Sequence, residues 1–307
     1  MDVLTDVLNT LRLKSSVYYR SDIAKHDWSL RFNATPGAMF HVLQKGHCIA
    51  QVDGGGSVVL HEGDVLVLTQ GHRHILSDRV DLVPMIAIQL DQDYPVFHRQ
   101  QYGDGDPTTT LICGVFDFEH QHRFPLLASM PAVLHIPHEH SQRAGLDATL
   151  NLIARESALQ RAGTTTLIKR LSDVLFIQVV RLWMEDPTTI ARGWLKALQD
   201  PAIGHTLSLI HAAPEADWTV EKLARAVAMS RSGFAARFSE LVGETPFQYL
   251  TRWRMQTAIT LMADSRLSLQ AVALRVGYDS EGAFHRAFKR HIGMNPGQHR
   301  RRVGGGA

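Results

Sequence analysis

Two serine-led segments near the C-terminus carry the side chains with the plainest chemical potential: Ser230-Arg231-Ser232 and Ser280-Glu281-Gly282. A serine just ahead of a helix accepts a hydrogen bond from a backbone N–H of the first turn. Four residues past each serine stands a phenylalanine, and four further on another: Phe234 and Phe238, then Phe284 and Phe288. Residues four apart share a helix face, so each pair turns into a core. That leaves Arg231, Ser232 and Arg237 outward in the first helix, and Glu281, His285, Arg286, Lys289 and Arg290 in the second. These are side chains that hydrogen-bond base edges or neutralise phosphates. Arg231, Ser232, Glu281 and His285 are expected to contact bases. Arg237, Arg286, Lys289 and Arg290 are expected to hold phosphates or to support the fold. For any one of them a solvated surface role is the alternative.

The elements that position these side chains occur twice. Thr219 precedes Val220, Leu223, Ala224 and Val227, and Ser268 precedes Leu269, Val272, Ala273 and Val276, at an offset of 49. From Ser230 and Ser280 onward the offset is 50, and it holds through Gly243 and Pro246 against Gly293 and Pro296. The extra residue falls in the turn, where Ala228-Met229 becomes Gly277-Tyr278-Asp279. Each unit reads as a short amphipathic helix, a tight turn and a second helix, which is a helix-turn-helix. Between the copies, Pro246 opens a helix predicted to reach Met262, about 25 Å long at about 1.5 Å per residue. A rod of that scale suits two recognition helices lying in successive turns of the major groove, roughly 34 Å apart. Arg252 and Arg254 on this rod are expected to pack or face solvent.

Ahead of this third, residues up to about Ile136 read as β-structure. Runs such as Met39–Leu43, Cys48–Val52, Ser57–Leu60, Asp64–Leu68, Pro84–Ile88 and Thr110–Phe116 are divided by turn formers at Gly46, Asp53-Gly54-Gly55-Gly56 and Glu62-Gly63. Short strands at such spacing predict a barrel or sandwich. After Pro137 the period turns helical, with stripes at Leu146, Leu150, Ile153 and Ala154, then from Leu167 to Trp183. The second stripe is apolar on more than one face, which suits either packing between domains or a subunit interface. The expected division is 1–136 barrel, 137–200 helical linker or dimerisation pair, 201–302 double helix-turn-helix, and a disordered 303–307.

Composition bounds the function classes. Charged residues make up 20% and hydrophobic ones 45%, ordinary for a chain that buries a core. Net charge is +2, but residues 199–307 hold 14 Lys+Arg against 9 Asp+Glu, while the remainder holds 18 against 21. The basic third fits a polyanionic partner. Two cysteines, Cys48 and Cys113, exclude a disulfide scaffold and fit a reducing compartment. The N-terminus lacks the pattern of a secretory signal and no run is long enough to span a bilayer, so a soluble, cytoplasmic protein without membrane contact is expected.

Residues from about Trp218 to Arg300 resemble the DNA-binding domain of the AraC/XylS family of bacterial transcription regulators. The family's second-unit signature stands here as Phe284-His285-Arg286-Ala287-Phe288-Lys289 with Gly293-Met294-Asn295-Pro296, and Gly277-Tyr278 matches its glycine-aromatic turn. Where relatives often carry a basic residue late in the first recognition helix, Ser239 stands. The resemblance implies double-stranded DNA as a partner, bound at a bipartite promoter site, and RNA polymerase as a second partner. The N-terminal part is similar to the cupin sensor domain of a subset of these regulators, on Gly63–Leu68, His72-Arg73-His74 and Cys113–Phe116. That subset includes a reactive-chlorine-responsive activator, whose second, N-terminal cysteine has no counterpart here; Asp22 sits near its place.

The cupin resemblance points His41, His74 and Cys113 inward from three strands. Imidazole and thiolate together suit zinc or another transition metal, and a metal-bound or activated Cys113 would serve as a redox trigger. Equally, Cys113 is a small buried hydrophobe and the histidines are hydrogen-bonded. The fold class implied is multidomain α and β: a cupin-like antiparallel β-barrel, a helical pair and an all-α double helix-turn-helix. The function implied is a non-enzymatic, sequence-specific transcription regulator, an activator, whose cupin domain senses a small molecule, metal or oxidant. The alternative is a cupin metalloenzyme of dioxygenase type with an accessory DNA-binding domain, and the missing H-x-H…E ligand set argues against it.

Overall fold

A computed structural model describes residues 3–10, 13–88, 97–118, 130–140, 143–159, 161–185, 194–262 and 267–304. The chain divides into two compact units, Leu11–Thr189 and Met1–Thr10 together with Ile190–Ala307.

Among its described residues the first unit holds eleven strands in two sheets. One sheet runs β11-β6-β3-β10-β1-β9, from β1 (Leu13–Ile23), β3 (Ala38–Lys45), β6 (Val65–Leu68), β9 (Phe97–Tyr102), β10 (Thr109–Phe118) and β11 (Val133–Ile136). The other runs β5-β4-β7-β2-β8, from β2 (Ser29–Phe32), β4 (His47–Val52), β5 (Gly56–His61), β7 (His74–Ser77) and β8 (Ile86–Ile88). Pairing is antiparallel except at two edges, where β9 runs parallel to β1 and β8 parallel to β2. The period of two along each strand builds the shared core. Met39 and Leu43 on β3, Leu111, Cys113 and Val115 on β10, and Leu30 and Phe32 on β2 all meet there.

Helices α2 (Ala144–Leu159) and α3 (Thr164–Glu185) pack on each other, and α3 also packs on β1. Phe176 of α3 packs against Phe116 of β10, the rings tilted with centroids 5.2 Å apart. The helical pair expected as a separate linker over 137–200 is thus continuous with the barrel's packing, and the break between units falls near residue 190.

The second unit starts with a helix that periodicity in the β-rich region did not suggest. α1 (Val3–Thr10) buries Val3, Leu4 and Val7 on one face. It packs against α5 (Pro201–Ala212) and α8 (Pro246–Met262), and Asp6 lies 3.6 Å from the buried His211 of α5. α4 (Trp194–Gln199) leads into α5, whose N-terminus Asp200 caps from Ala202 and Ile203 N–H. The remaining helices are α6 (Val220–Ala226), α7 (Arg231–Val242), α9 (Leu269–Arg275), α10 (Glu281–Ile292) and α11 (Pro296–Gly304). Helical backbone therefore continues through residues 303 and 304 of the segment expected to be a disordered tail; residues 305–307 lie outside the described set.

Candidate nucleic-acid interface

The two helix-turn-helix units are built alike. Thr219 and Ser268 cap α6 and α9, accepting from Lys222 and Ala271 N–H. Ser230 and Ser280 cap α7 and α10, accepting from Gly233 and Ala283 N–H at 3.2 Å each. Both turns place one residue in the left-handed region, Ala228 at φ 54° and Gly277 at φ 79°. Glycine is needed only in the second turn, where a Cβ would come within 2.6 Å of the Arg254 guanidinium. The turn after each closes with the same backbone bond, Met229 N to Ala224 O and Tyr278 N to Ala273 O, both 2.9 Å. Gly243 and Gly293 end the two recognition helices at φ 84° and 85°.

Phe234, Phe238, Phe284 and Phe288 are all fully buried. Phe238 meets Tyr249 near the start of α8, whereas Phe284 and Phe288 join Met255, Ala258, Ile259 and Met262 near its end. One helix therefore serves as the spine of both units. Arg254 is spent inside the fold, donating from Nε to Pro214 O at 2.6 Å and from Nη2 to Ala216 O at 2.9 Å. Arg252 pairs with Glu244.

Burying the phenylalanines leaves Arg231, Ser232 and Arg237 exposed on α7, and Glu281, Arg286, Lys289 and Arg290 exposed on α10, with His285 half-buried. Not all of them are equally free. Arg231 pairs with Glu221 at 2.9 Å, both side chains at least half exposed. His285 faces Glu281 at 3.4 Å. Arg237 donates two bonds to Asp200, the cap of α5, so it braces the fold. The N–H donors and the Arg237 charge hold the Asp200 carboxyl below its usual range against the opposing effect of burial. Sequence periodicity exposed Arg237 but could not find Asp200, which lies 37 residues away.

The barrel's candidate metal residues form a different arrangement from the one expected. His41 and His74 are buried and meet directly, Nε2 to Nε2, at 2.7 Å. His74 Nδ1 donates to His72 O at 2.9 Å, so its Nε2 accepts from His41 Nε2–H. His41 Nδ1 is then a buried acceptor without a hydrogen-bond partner. Burial pushes the pKa of His41 well below 6.5, with the His74 charge adding to it, and burial brings that of His74 down to about 4. Cys113 stands opposite His41 across the β3–β10 ladder and is fully buried.

The Nε2 atoms of the candidate ligand pair bond each other, and His41 Nδ1 is the nitrogen of the pair left buried without a partner. No group of three His, Cys, Asp or Glu side chains among the described residues is placed to hold an ion. Burial, then the nearby Cys48, pushes the pKa of Cys113 well above 9, which favours the thiol over the thiolate in this arrangement. Cys48 is raised to about 12 by burial, then by the Asp64 charge. Asp22, at the place of the absent second cysteine, is a buried carboxylate held by Arg20, Arg99 and Thr110. Among the described residues no helix is long and apolar enough to cross a membrane.

The comparisons agree with both halves of this architecture. The family described as Cupin matches residues 2–185, more than half of the chain, and the helix-turn-helix domain family matches residues 223–302. An AraC-like transcription regulator of Streptomyces antibioticus is 35% identical over 98% of this chain and 99% of its own. The HTH-type transcriptional regulator AlkR of Acinetobacter baylyi is 31% identical, over 98% and 99%. The RCS-specific transcriptional activator RclR of Escherichia coli is 29% identical, over 99% and 98%. Full-length likeness to regulators leaves the metalloenzyme alternative without support. The chain belongs to the AraC/XylS family of DNA-binding transcription regulators, in the group with an N-terminal cupin domain.

Proposed function

We propose that this regulator reads a bipartite promoter site with α7 and α10, one half-site per recognition helix. The observation that carries the reading is the duplication itself: two capped helices on one spine, each with an exposed, polar first turn. In this reading Arg231 and Ser232 contact bases in one half-site, Glu281 and His285 in the other. Arg286, Lys289 and Arg290 hold phosphates. Arg237 serves through Asp200, so the first unit has fewer cations available for the backbone than the second.

The barrel senses a small molecule and acts on transcription in the cytoplasm as an activator, with RNA polymerase as partner. The chain pairs with a second copy through Leu152, Leu159, Leu167 and Val174, which are 40–54% exposed on α2 and α3. Apolar helix faces of that kind fit subunit contact. Sensing requires that the effector favour one of two arrangements of the molecule.

A gel shift of the DNA upstream of its own gene, followed against salt, tests the reading. Wild type shifts a discrete fragment, and each phosphate contact contributes a slope of about −0.9 in log K against log salt. Arg286→Ala weakens binding and flattens that slope by about one contact. Unchanged affinity and slope would remove Arg286 from the interface, and failure to shift any fragment would remove the reading.

A further inference from the structure

We propose a small-molecule site on the outside of the barrel, in a cleft of about 500 Å³ between its rim and α2, that takes an amine with a compact apolar body. The volume falls within the range of ligand pockets. All of its walls belong to the first unit.

The floor is apolar: Val42 and Leu43 of β3 and Leu150 of α2, all buried. The charge of the walls follows from which groups are already engaged. Arg143 is 3% exposed and each of its three guanidinium nitrogens donates a bond. Nε bonds Asp147 at 2.7 Å, Nη1 bonds Pro137 O at 2.8 Å, and Nη2 bonds Gly63 O at 2.6 Å. Asp147 thereby neutralises Arg143, and neither is available to a ligand as a net charge. Lys45, the cation beside Gln44, turns away to donate to Pro107 O at 2.7 Å.

Glu62 is left. Its side chain is exposed and lines the cleft, and among the described residues its carboxylate hydrogen-bonds only the Gly46 N–H, at 3.4 Å. Such a bond is long and weak. The Asn151 amide, also in the lining, supplies a neutral donor and acceptor. One carboxylate without a charged partner over an apolar floor recognises an ammonium group joined to a hydrocarbon body, and disfavours an anion of the same shape.

The turn at Glu62-Gly63 is fixed in place. Gly63 adopts φ +90°, and a Cβ there would come within 2.4 Å of the His138 ring. Arg143 ties this turn to the end of β11 and to the first turn of α2. A ligand in the cleft therefore bears on the joint between barrel and helices, which is where an effector could influence the rest of the molecule.

The test is calorimetric titration of the full chain with three molecules of nearly one shape: 2-phenylethylamine, 2-phenylethanol and 3-phenylpropionate. The amine is expected to bind at least tenfold tighter than the alcohol, and the carboxylate not at all. Glu62→Gln should remove that tenfold preference. Asn151→Trp, on an exposed helix position, should fill the cleft and abolish binding, with the melting temperature of the free protein unchanged. Equal binding of all three probes, binding of the amine that survives both substitutions, or no binding of the amine would overturn the proposal. DNA binding without ligand is unaffected in every case, so the site and the promoter reading fail separately.

Discussion

Replacing Phe284 with alanine is expected to destabilise the second helix-turn-helix by about 3–5 kcal/mol, the range for removing a fully buried phenylalanine. Phe284 is 0% exposed and packs edge-on to Tyr278 and against Phe288, in the cluster that joins α9, α10 and the end of α8. No polar atom compensates for the void. A loss of that size approaches the whole stability of a small domain, about 5–15 kcal/mol. The binding consequence is selective. Phe234 and Phe238 pack on the other end of α8, so the first unit keeps its core. The variant should lose protection over one half-site and bind at least about 30-fold more weakly, since one half-site accounts for about 2 kcal/mol or more of the specific free energy. Urea unfolding of the purified variant measures the first effect and footprinting the second. Wild-type stability, or loss of both half-sites together with retained first-unit structure, would contradict the assignment of separate cores on one spine.

The second large effect is on pH. His74 is neutral in the fold with a pKa near 4, and His211 in the other unit is lowered to about 3, by burial first and by Arg252 second. Both values lie below the ordinary 6.5 of an unfolded chain. The unfolded state therefore binds protons that the folded state does not as pH falls below 6.5. The stabilisation is complete above that value and is lost progressively toward pH 4. At pH 4.5 His74 should cost its unit about 3 kcal/mol, from about two pKa units at about 1.36 kcal/mol each, and His211 less, because the Asp6 carboxylate 3.6 Å away favours its charged form. The carboxylates held low by cations, Asp22 and Asp200, add their loss only at more acidic pH. Urea unfolding at pH 7.5 and pH 4.5 reads the difference, and a flat profile between them would show that these imidazoles are not buried in neutral form.

The parts of this architecture that were legible in the sequence are those with a local cause. The serine caps, the phenylalanine pairs and the glycine ends of α7 and α10 act within a few residues, so their spacing reports them directly. Strands made of apolar runs between turn formers, such as β3, β4 and β10, were equally plain. β2 and β7 were not: Ser29 and Ser77 interrupt their apolar character, and only their pairing, Ser29 opposite Ser77, makes strands of them. α1 was hidden because its apolar face is completed by α5 and α8, some two hundred residues later in the chain.

The candidate site divides in the same way. The outward faces of α7 and α10 follow from helical period. The engagement of Arg237 by Asp200, and of Arg143 by Asp147, Pro137 and Gly63, depends on tertiary proximity. The barrel pair illustrates a harder case. Residue type and cupin likeness bring His41 and His74 together correctly. Whether two imidazoles ligate an ion or bond each other depends on a third donor, and Cys113, though opposite His41 in register, does not complete one.

The most direct test of the central claim is hydroxyl-radical footprinting of the full chain on its upstream DNA. Two protected segments are expected about one helical turn apart, roughly 34 Å. Phe284→Ala should remove one of them. A single protected segment in the wild type, or two segments that persist unchanged in that variant, would contradict reading by a duplicated helix-turn-helix.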